Sequence, residues 1–232
     1  EQQLAEINDL ETLNTSVELP FFSNPVFVIH VYNIFGKRSQ YVIDGENQQT
    51  TNFSRAEILP INTIRYFDFS PNIQKGILLH RAIDEFTDQH EITRQSKERL
   101  HHRYRHYKGV IIDIFYDYFL AKHWEHYSEI PLRVFTKSIY KFLSKHKNML
   151  PQRSIRFLEY MIAYDILFNY QYFEGIDKVL QGMNQRTKGK SKMNLAIDDL
   201  ISLEKEFEGD FFQFFKELNQ FSTQKRDELY AK

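Results

Sequence analysis

The chain has 232 residues, with 30 Lys and Arg against 31 Asp and Glu, so it lacks the basic surplus of a nucleic-acid binder. It contains no cysteine, which excludes a disulfide scaffold, thiol catalysis and any Cys-ligated zinc or iron–sulfur site. With 21 Phe and 14 Tyr against 8 Gly and 6 Pro, the composition disfavours a turn-rich β sandwich and suits long helices. No apolar run approaches the roughly 18 residues of a membrane span. The acidic start EQQLAEINDLE lacks the basic and apolar regions of a secretory signal, so a cytoplasmic protein without a membrane segment is expected.

In chain order, residues 1–70 carry mixed signals. VFVIHVYNIF (26–35) suits a strand or a buried helix start, GENQQTTNFS (45–54) reads as a loop, and AEILPINTIRYFDFS has no clear period. This irregular region is expected to pack on the same domain as residues 71–232, which form a succession of helical patterns. Pro71 stands at a helix start, and Ile73, Ile77, Leu78 and Phe86 mark a 3.6-residue stripe to about Asp88. A short cation-rich helix follows over EITRQSKERLHHRYRHY. KGVIIDIFYDYFLAKHW (108–124) is apolar almost all round and predicts a buried central helix. Pro131 opens a helix to about Lys145, Pro151 opens PQRSIRFLEYMIAYDILFNY, and YFEGIDKVLQGMNQRT predicts another. The last stretch, SKMNLAIDDLISLEKEFEGDFFQFFKELNQFSTQKRDELY, predicts helix with a break near Gly209. The fold class is therefore all-α.

Two segments carry candidate chemistry. In HRAIDEFTDQH (80–90), His80, Asp84 and Asp88 recur every four residues, so an imidazole and two carboxylates line one stripe of a helix. In DIFYD (113–117), Asp113 and Asp117 stand one turn apart among Ile, Val and Phe, which suggests burial. A buried carboxylate costs several kcal/mol unless it is paired, hydrogen-bonded or metal-bound. A divalent cation, arginines or a shared proton would each relieve two neighbouring carboxylates. His and Asp ligands without Cys suit Mn, Fe, Zn or Mg.

Structural readings stand beside these. Asp84 and Asp88 could pair with Arg81 and Lys75, Asp88 could cap the next helix, and His80 could be a core histidine. Asp113 and Asp117 could belong to a buried network with the cations of residues 94–106. His101, His102 and His106 lie among arginines and read as a solvated basic face, suited to an acidic partner or a phosphate. TKGKSK (187–192) reads as a flexible basic loop, and the Phe-rich stretch FEGDFFQFFKELNQF as core. Asp165, Glu174 and Arg186 read as surface residues.

Three segments, PNIQKGILLHRAIDEFTDQH, YKGVIIDIFYDYFLAKHW and YFEGIDKVLQGMNQRTK, resemble in order and spacing the bacterial acyl carrier protein phosphodiesterases. The likeness begins at about Ser70. It implies an all-α fold similar to the HD-domain phosphohydrolases, and removal of the 4′-phosphopantetheine arm from holo-acyl carrier protein with Mn²⁺ as favoured metal. By the same resemblance His80 and Asp84 belong to the metal site with Asp88 near it. Asp113 and Asp117 supply further carboxylates at the reaction centre, and Arg81 meets a phosphate oxygen. The cations of 94–106 would then dock the acidic carrier protein. His30 stands where members carry an early His. The following G-N/S-x-x-x-D-F motif has no counterpart, and the spacing selects neither Asp44 nor Asp68 in its place. Tyr118 occupies a position where members often carry His. Two other readings fit the same residues: an HD-like phosphohydrolase acting on a nucleotide or another small phosphoester, and a non-catalytic helical domain that binds an acidic partner.

Overall fold

A computed structural model describes residues 71–145, 147 and 152–231. The expectations placed on residues 1–70, His30, Asp44 and Asp68 among them, lie outside the described residues. Within these the chain is all-α, with nine α-helices, three 3₁₀ segments and no strand. The helices are α1 (Pro71–Gln89), α2 (Glu91–Arg99), α3 (Lys108–Lys122), α4 (Leu132–Lys145), α5 (Gln152–Ala163), α6 (Ile166–Asn169), α7 (Phe173–Arg186), α8 (Ala196–Ser202) and α9 (Glu204–Tyr230). None of them is long and apolar enough to cross a membrane.

α3 is the axis of the fold, as its all-round apolar sequence demands: ten of its fifteen residues are buried. One side meets α9, whose Phe207, Phe211, Phe214 and Phe215 form a buried stripe. Phe115 lies edge-on to Phe207 with centroids 5.1 Å apart, and Tyr116 stacks on Phe214 at 5.1 Å. Such aromatic pairs each add ~1 kcal/mol beyond the area they bury. The other side meets α7, where Tyr118 stacks on Phe173 at 5.1 Å. α1 packs on α9 and α2, while α4, α5 and α6 continue the fold beyond α7.

Three helix boundaries depart from the sequence pattern, each for a tertiary reason. The segment 91–107 is not one helix. α2 stops at Arg99, Leu100 is extended, and a 3₁₀ segment over His102–Tyr107 contains Arg105 at φ 51°. Buried Leu100 and Tyr104 anchor this detour, with Tyr104 donating a hydrogen bond to Asp199 and Lys108 Nζ donating to the Leu100 carbonyl at 2.6 Å. The segment 151–170 breaks where Asp165 adopts a left-handed conformation (φ 46°) and pairs with Arg133. Beyond the break, the Leu167 amide donates to the Tyr140 hydroxyl at 2.9 Å. α9, in contrast, runs unbroken through Gly209, and its predecessor ends earlier, at Ser202. Gly209 is exposed, where glycine costs a helix only ~1 kcal/mol relative to alanine, and the buried phenylalanines on both sides outweigh that.

One glycine is required by packing. At Gly175, in the first turn of α7, an added Cβ would overlap the Asn169 carbonyl at the end of α6. The absence of a side chain lets α6 and α7 approach, and thereby sets Tyr170 between them.

Candidate active site

The sequence HRAIDEFTDQH occupies the second half of α1. His80 Nδ1 lies 3.8 Å from an Asp84 carboxylate oxygen, one helical turn on. Burial lowers the His80 pKa from 6.5 to about 4, helped by the charge of Arg81 and opposed by a backbone hydrogen bond. At neutral pH this imidazole is therefore uncharged, the form in which it donates a lone pair to a metal or accepts a proton. Arg81 itself is exposed. Asp88 is exposed too, with its carboxylate 3.8 Å from Lys97 Nζ. It does not cap the next helix; His90 does, accepting a hydrogen bond from the Ile92 amide. His90 also lies 3.2 Å from Glu217 and packs between Phe86 and Phe214, so it fastens α1 and α2 to α9.

The second motif lies on α3, and its two aspartates differ. Asp117 is 1% exposed, as the apolar surroundings predict. Asp113 is only partly buried, so the expectation of two buried carboxylates holds for one of them. The reason is local geometry: Asp113 is near the start of α3, where Lys108, Gly109 and Val110 are likewise only partly covered. Beside Asp117 stands a residue that the sequence does not single out, Tyr170, at the end of α6 and 4% exposed. Burial is the main reason its hydroxyl pKa rises, and the charge of Asp117 raises it further while that of Arg186 opposes both. Tyr170 thus stays a neutral hydroxyl, within electrostatic range of the Asp117 carboxylate and of the guanidinium at the end of α7. Arg186 is exposed, as its sequence context predicts, and its charge also acts on this buried group. Nothing in the local pattern of either residue could reveal it, since α3, α6 and α7 meet only in three dimensions.

Tyr118, at the position where the resemblance expects His, is engaged structurally. Its hydroxyl donates to Glu204 at 2.7 Å, and Lys122 Nζ, 2.8 Å from both Glu204 and Glu208, lies over its ring.

Most cations of residues 94–106 are committed inside the molecule. Arg94 pairs with Glu91 and Glu98, Arg103 with Asp199, and Arg99 with the buried Asp210. One of these cations forms a buried Arg–Asp network around Asp210. Arg99 grips both of its oxygens, at 2.7 and 3.0 Å, and Ser96 donates to one of them at 2.7 Å.

Fit to a divalent metal is partial. Neutral His80 with Asp84 one turn away is a suitable donor pair. Among the described residues no group of three or more His, Asp or Glu side chains comes together to hold a metal, so the α1 and α3 residues do not merge into one such cluster. His30, the further ligand implied by the resemblance, lies outside the described residues.

Comparison with known proteins follows the same residues. Residues 56–218 match the family model described as acyl carrier protein phosphodiesterase, beginning upstream of Ser70, where the likeness by motif begins. A protein of that name from Klebsiella pneumoniae is 26% identical over 160 residues, covering 68% of this chain and 83% of the relative. One from Escherichia coli O6:H1 is 28% identical over 158 residues, covering 68% and 82%. One from Salmonella agona is 26% identical over 148 residues, covering 63% and 77%. No solved structure matches the chain.

Proposed function

We propose, from the premise that this chain belongs to the acyl carrier protein phosphodiesterase family, that it hydrolyses the 4′-phosphopantetheine phosphodiester of holo-acyl carrier protein. The observation that carries this reading is the family match itself, which spans both motif helices α1 and α3 and the α6–α7 elements around Asp117. In the reaction a water oxygen bonds to phosphorus and the bond from phosphorus to the carrier's serine oxygen breaks. The serine oxygen takes up a proton, leaving apo-carrier protein and free 4′-phosphopantetheine.

Asp117 is assigned as the group that accepts the water's proton. It is almost completely shielded from solvent and carries the carboxylate that a general base needs. The neutral Tyr170 hydroxyl lies within electrostatic range of it, and of the Arg186 charge as well. Asp113, one turn earlier and partly open to solvent, is placed to orient the attacking water or return a proton to the leaving oxygen. Exposed Arg81 offers its guanidinium to a phosphate oxygen. His80 and Asp84 would hold a divalent ion, Mn²⁺ by family resemblance, with Asp88 one turn beyond them and His30 as the expected further ligand. Such an ion, when bound, polarises the phosphodiester and lowers the pKa of a coordinated water.

Incubation with holo-acyl carrier protein and Mn²⁺, reading the carrier's mass, is the direct test. Loss of the phosphopantetheine mass is expected. An unchanged mass with Mn, Fe, Zn and Mg in turn rules the reading out. Metal content of the purified chain, and its fall in His80→Ala, tests the donor pair independently of turnover.

A further inference from the structure

The sequence stretch TKGKSK reads as a flexible loop, yet in the structure it is hydrogen-bonded along its length. Thr187 closes α7 by donating its amide to Asn184 O at 3.1 Å, and the Gly189 amide donates to the same carbonyl at 2.9 Å. Gly189 takes the left-handed conformation (φ 76°) that this helix end requires, and Lys188 and Lys192 also have positive φ. Ser191 is completely buried and bonds to Thr187 Oγ1 at 2.8 Å and Asn184 Oδ1 at 3.1 Å, and Met193 is buried just beyond it. With Ser191 and Met193 pointing in, Lys188, Lys190 and Lys192 point out and are exposed.

These lysines differ from most of the cations of 94–106; Arg105 is likewise exposed and has no ion pair among the described residues. Where Arg94, Arg99 and Arg103 are held by the chain's own carboxylates, Lys188, Lys190 and Lys192 have no ion pair among the described residues. The loop also begins directly after Arg186, whose charge reaches Tyr170 beside Asp117. Three positive charges without an ion pair among the described residues are therefore held in fixed backbone just beyond the end of α7, the helix that packs on α3.

We propose that Lys188–Lys192 is the surface on which an acidic protein partner docks so that its modified residue meets the Asp117 site. On the functional reading above, on which this rests, that partner is the carrier-protein substrate. A lone phosphate gains little from exposed lysines, because solvent and salt screen each contact. A protein face bearing several carboxylates gains from all three and is steered toward them before contact. The docking role thus moves from residues 94–106, where sequence places it, to the loop after α7.

Apo-acyl carrier protein, which lacks the scissile bond, separates docking from turnover. Wild type should bind it with an affinity that falls steeply as salt rises. The triple variant Lys188→Glu/Lys190→Glu/Lys192→Glu should bind at least about tenfold more weakly and lose that salt dependence. Lys190→Glu alone, at an exposed position without positive φ, should weaken binding by a smaller factor and guards against a folding defect. Arg105→Gln, on the other basic segment, should bind as wild type. With holo-carrier protein the triple variant should raise KM and leave kcat at saturation unchanged. Wild-type affinity or KM in the triple variant, absence of salt-dependent binding by wild type, or equal weakening by Arg105→Gln would overturn the proposal. Salt-dependent docking lost in the triple variant, with no change in holo-carrier mass by wild type, leaves docking standing and removes the hydrolytic reading. Turnover by wild type with KM unchanged in the triple variant does the reverse.

Discussion

Among the described residues two aspartates are buried, Asp210 on α9 and Asp117 on α3, and under the proposed function they serve different ends. Asp210, on α9, is fully engaged: Arg99 takes both oxygens and Ser96 one, and Ser96 is in turn 2.7 Å from the Tyr116 hydroxyl. Its charge is neutralised by a cation that never leaves, so it ties α2, α3 and α9 into one unit. Asp117, on α3 itself, sits beside a neutral tyrosine hydroxyl, with a guanidinium within electrostatic range at the end of α7. Asp210 cannot give up Arg99 without breaking this unit, whereas the proposed function asks Asp117 to exchange a proton. Burial alone therefore does not distinguish a site from a staple.

The largest expected effect separates the two aspartates directly. Asp117→Asn should lower turnover of holo-carrier protein by about 10²–10⁴-fold while the helical circular dichroism stays as in wild type. Full activity in this variant would show that the site is misplaced. Asp210→Ala should do the opposite: removing one partner of a buried pair leaves Arg99 uncompensated and costs ~3 kcal/mol in urea unfolding. Turnover per folded molecule should stay close to wild type. If Asp210→Ala leaves the unfolding midpoint unmoved, the network around it is not a staple.

A smaller effect tests how the Asp117 side is assembled. Gly175→Ala places a Cβ against the Asn169 backbone and should destabilise by about 1–3 kcal/mol, with turnover falling because α6 and Tyr170 must shift. Unchanged stability and activity would show that α6 and α7 do not need this close approach. The smallest effect concerns Glu204, which joins Tyr118 and Lys122 at 2.7 and 2.8 Å. The hydrogen bond from Lys122 holds its pKa below the ordinary 4.5, with that from Tyr118 adding and burial opposing. The unfolded chain therefore takes up this proton first as pH falls. The stabilisation is complete above pH 4.5 and is lost as pH drops from there through the lower folded value. Glu204→Gln should flatten that acid limb of the stability curve by under about 1 kcal/mol, since the pair is partly exposed.

Much of this was legible in sequence because it is local. The apolar run around DIFYD predicts a central helix and a buried Asp117, and the phenylalanines of α9 predict a core stripe. The pairing HRAID is visible as one helical turn, and His80 and Asp84 do face one another. Asp210, in contrast, reads as one polar residue in a core-forming helix, and Arg99 as one of many cations. Their bond spans 111 positions, which no periodicity records. Tyr170 was unreadable for the same reason, and the break expected at Gly209 failed because packing overrode propensity.

The sequence by itself determined the all-α class, the helix that occupies the centre, and the two motifs that place the chain in its family. Those properties follow from the spacing of apolar and charged residues along a helix, a repeat of a few positions. Only the tertiary structure decided that Arg99 neutralises Asp210, which cations the chain's own carboxylates hold, and that Tyr170 comes within electrostatic range of Asp117. Each of those is a question of partner, and electrostatic partners are chosen by distance in space, with Asp210 taking the arginine of α2 and leaving the lysines after α7 unclaimed among the described residues.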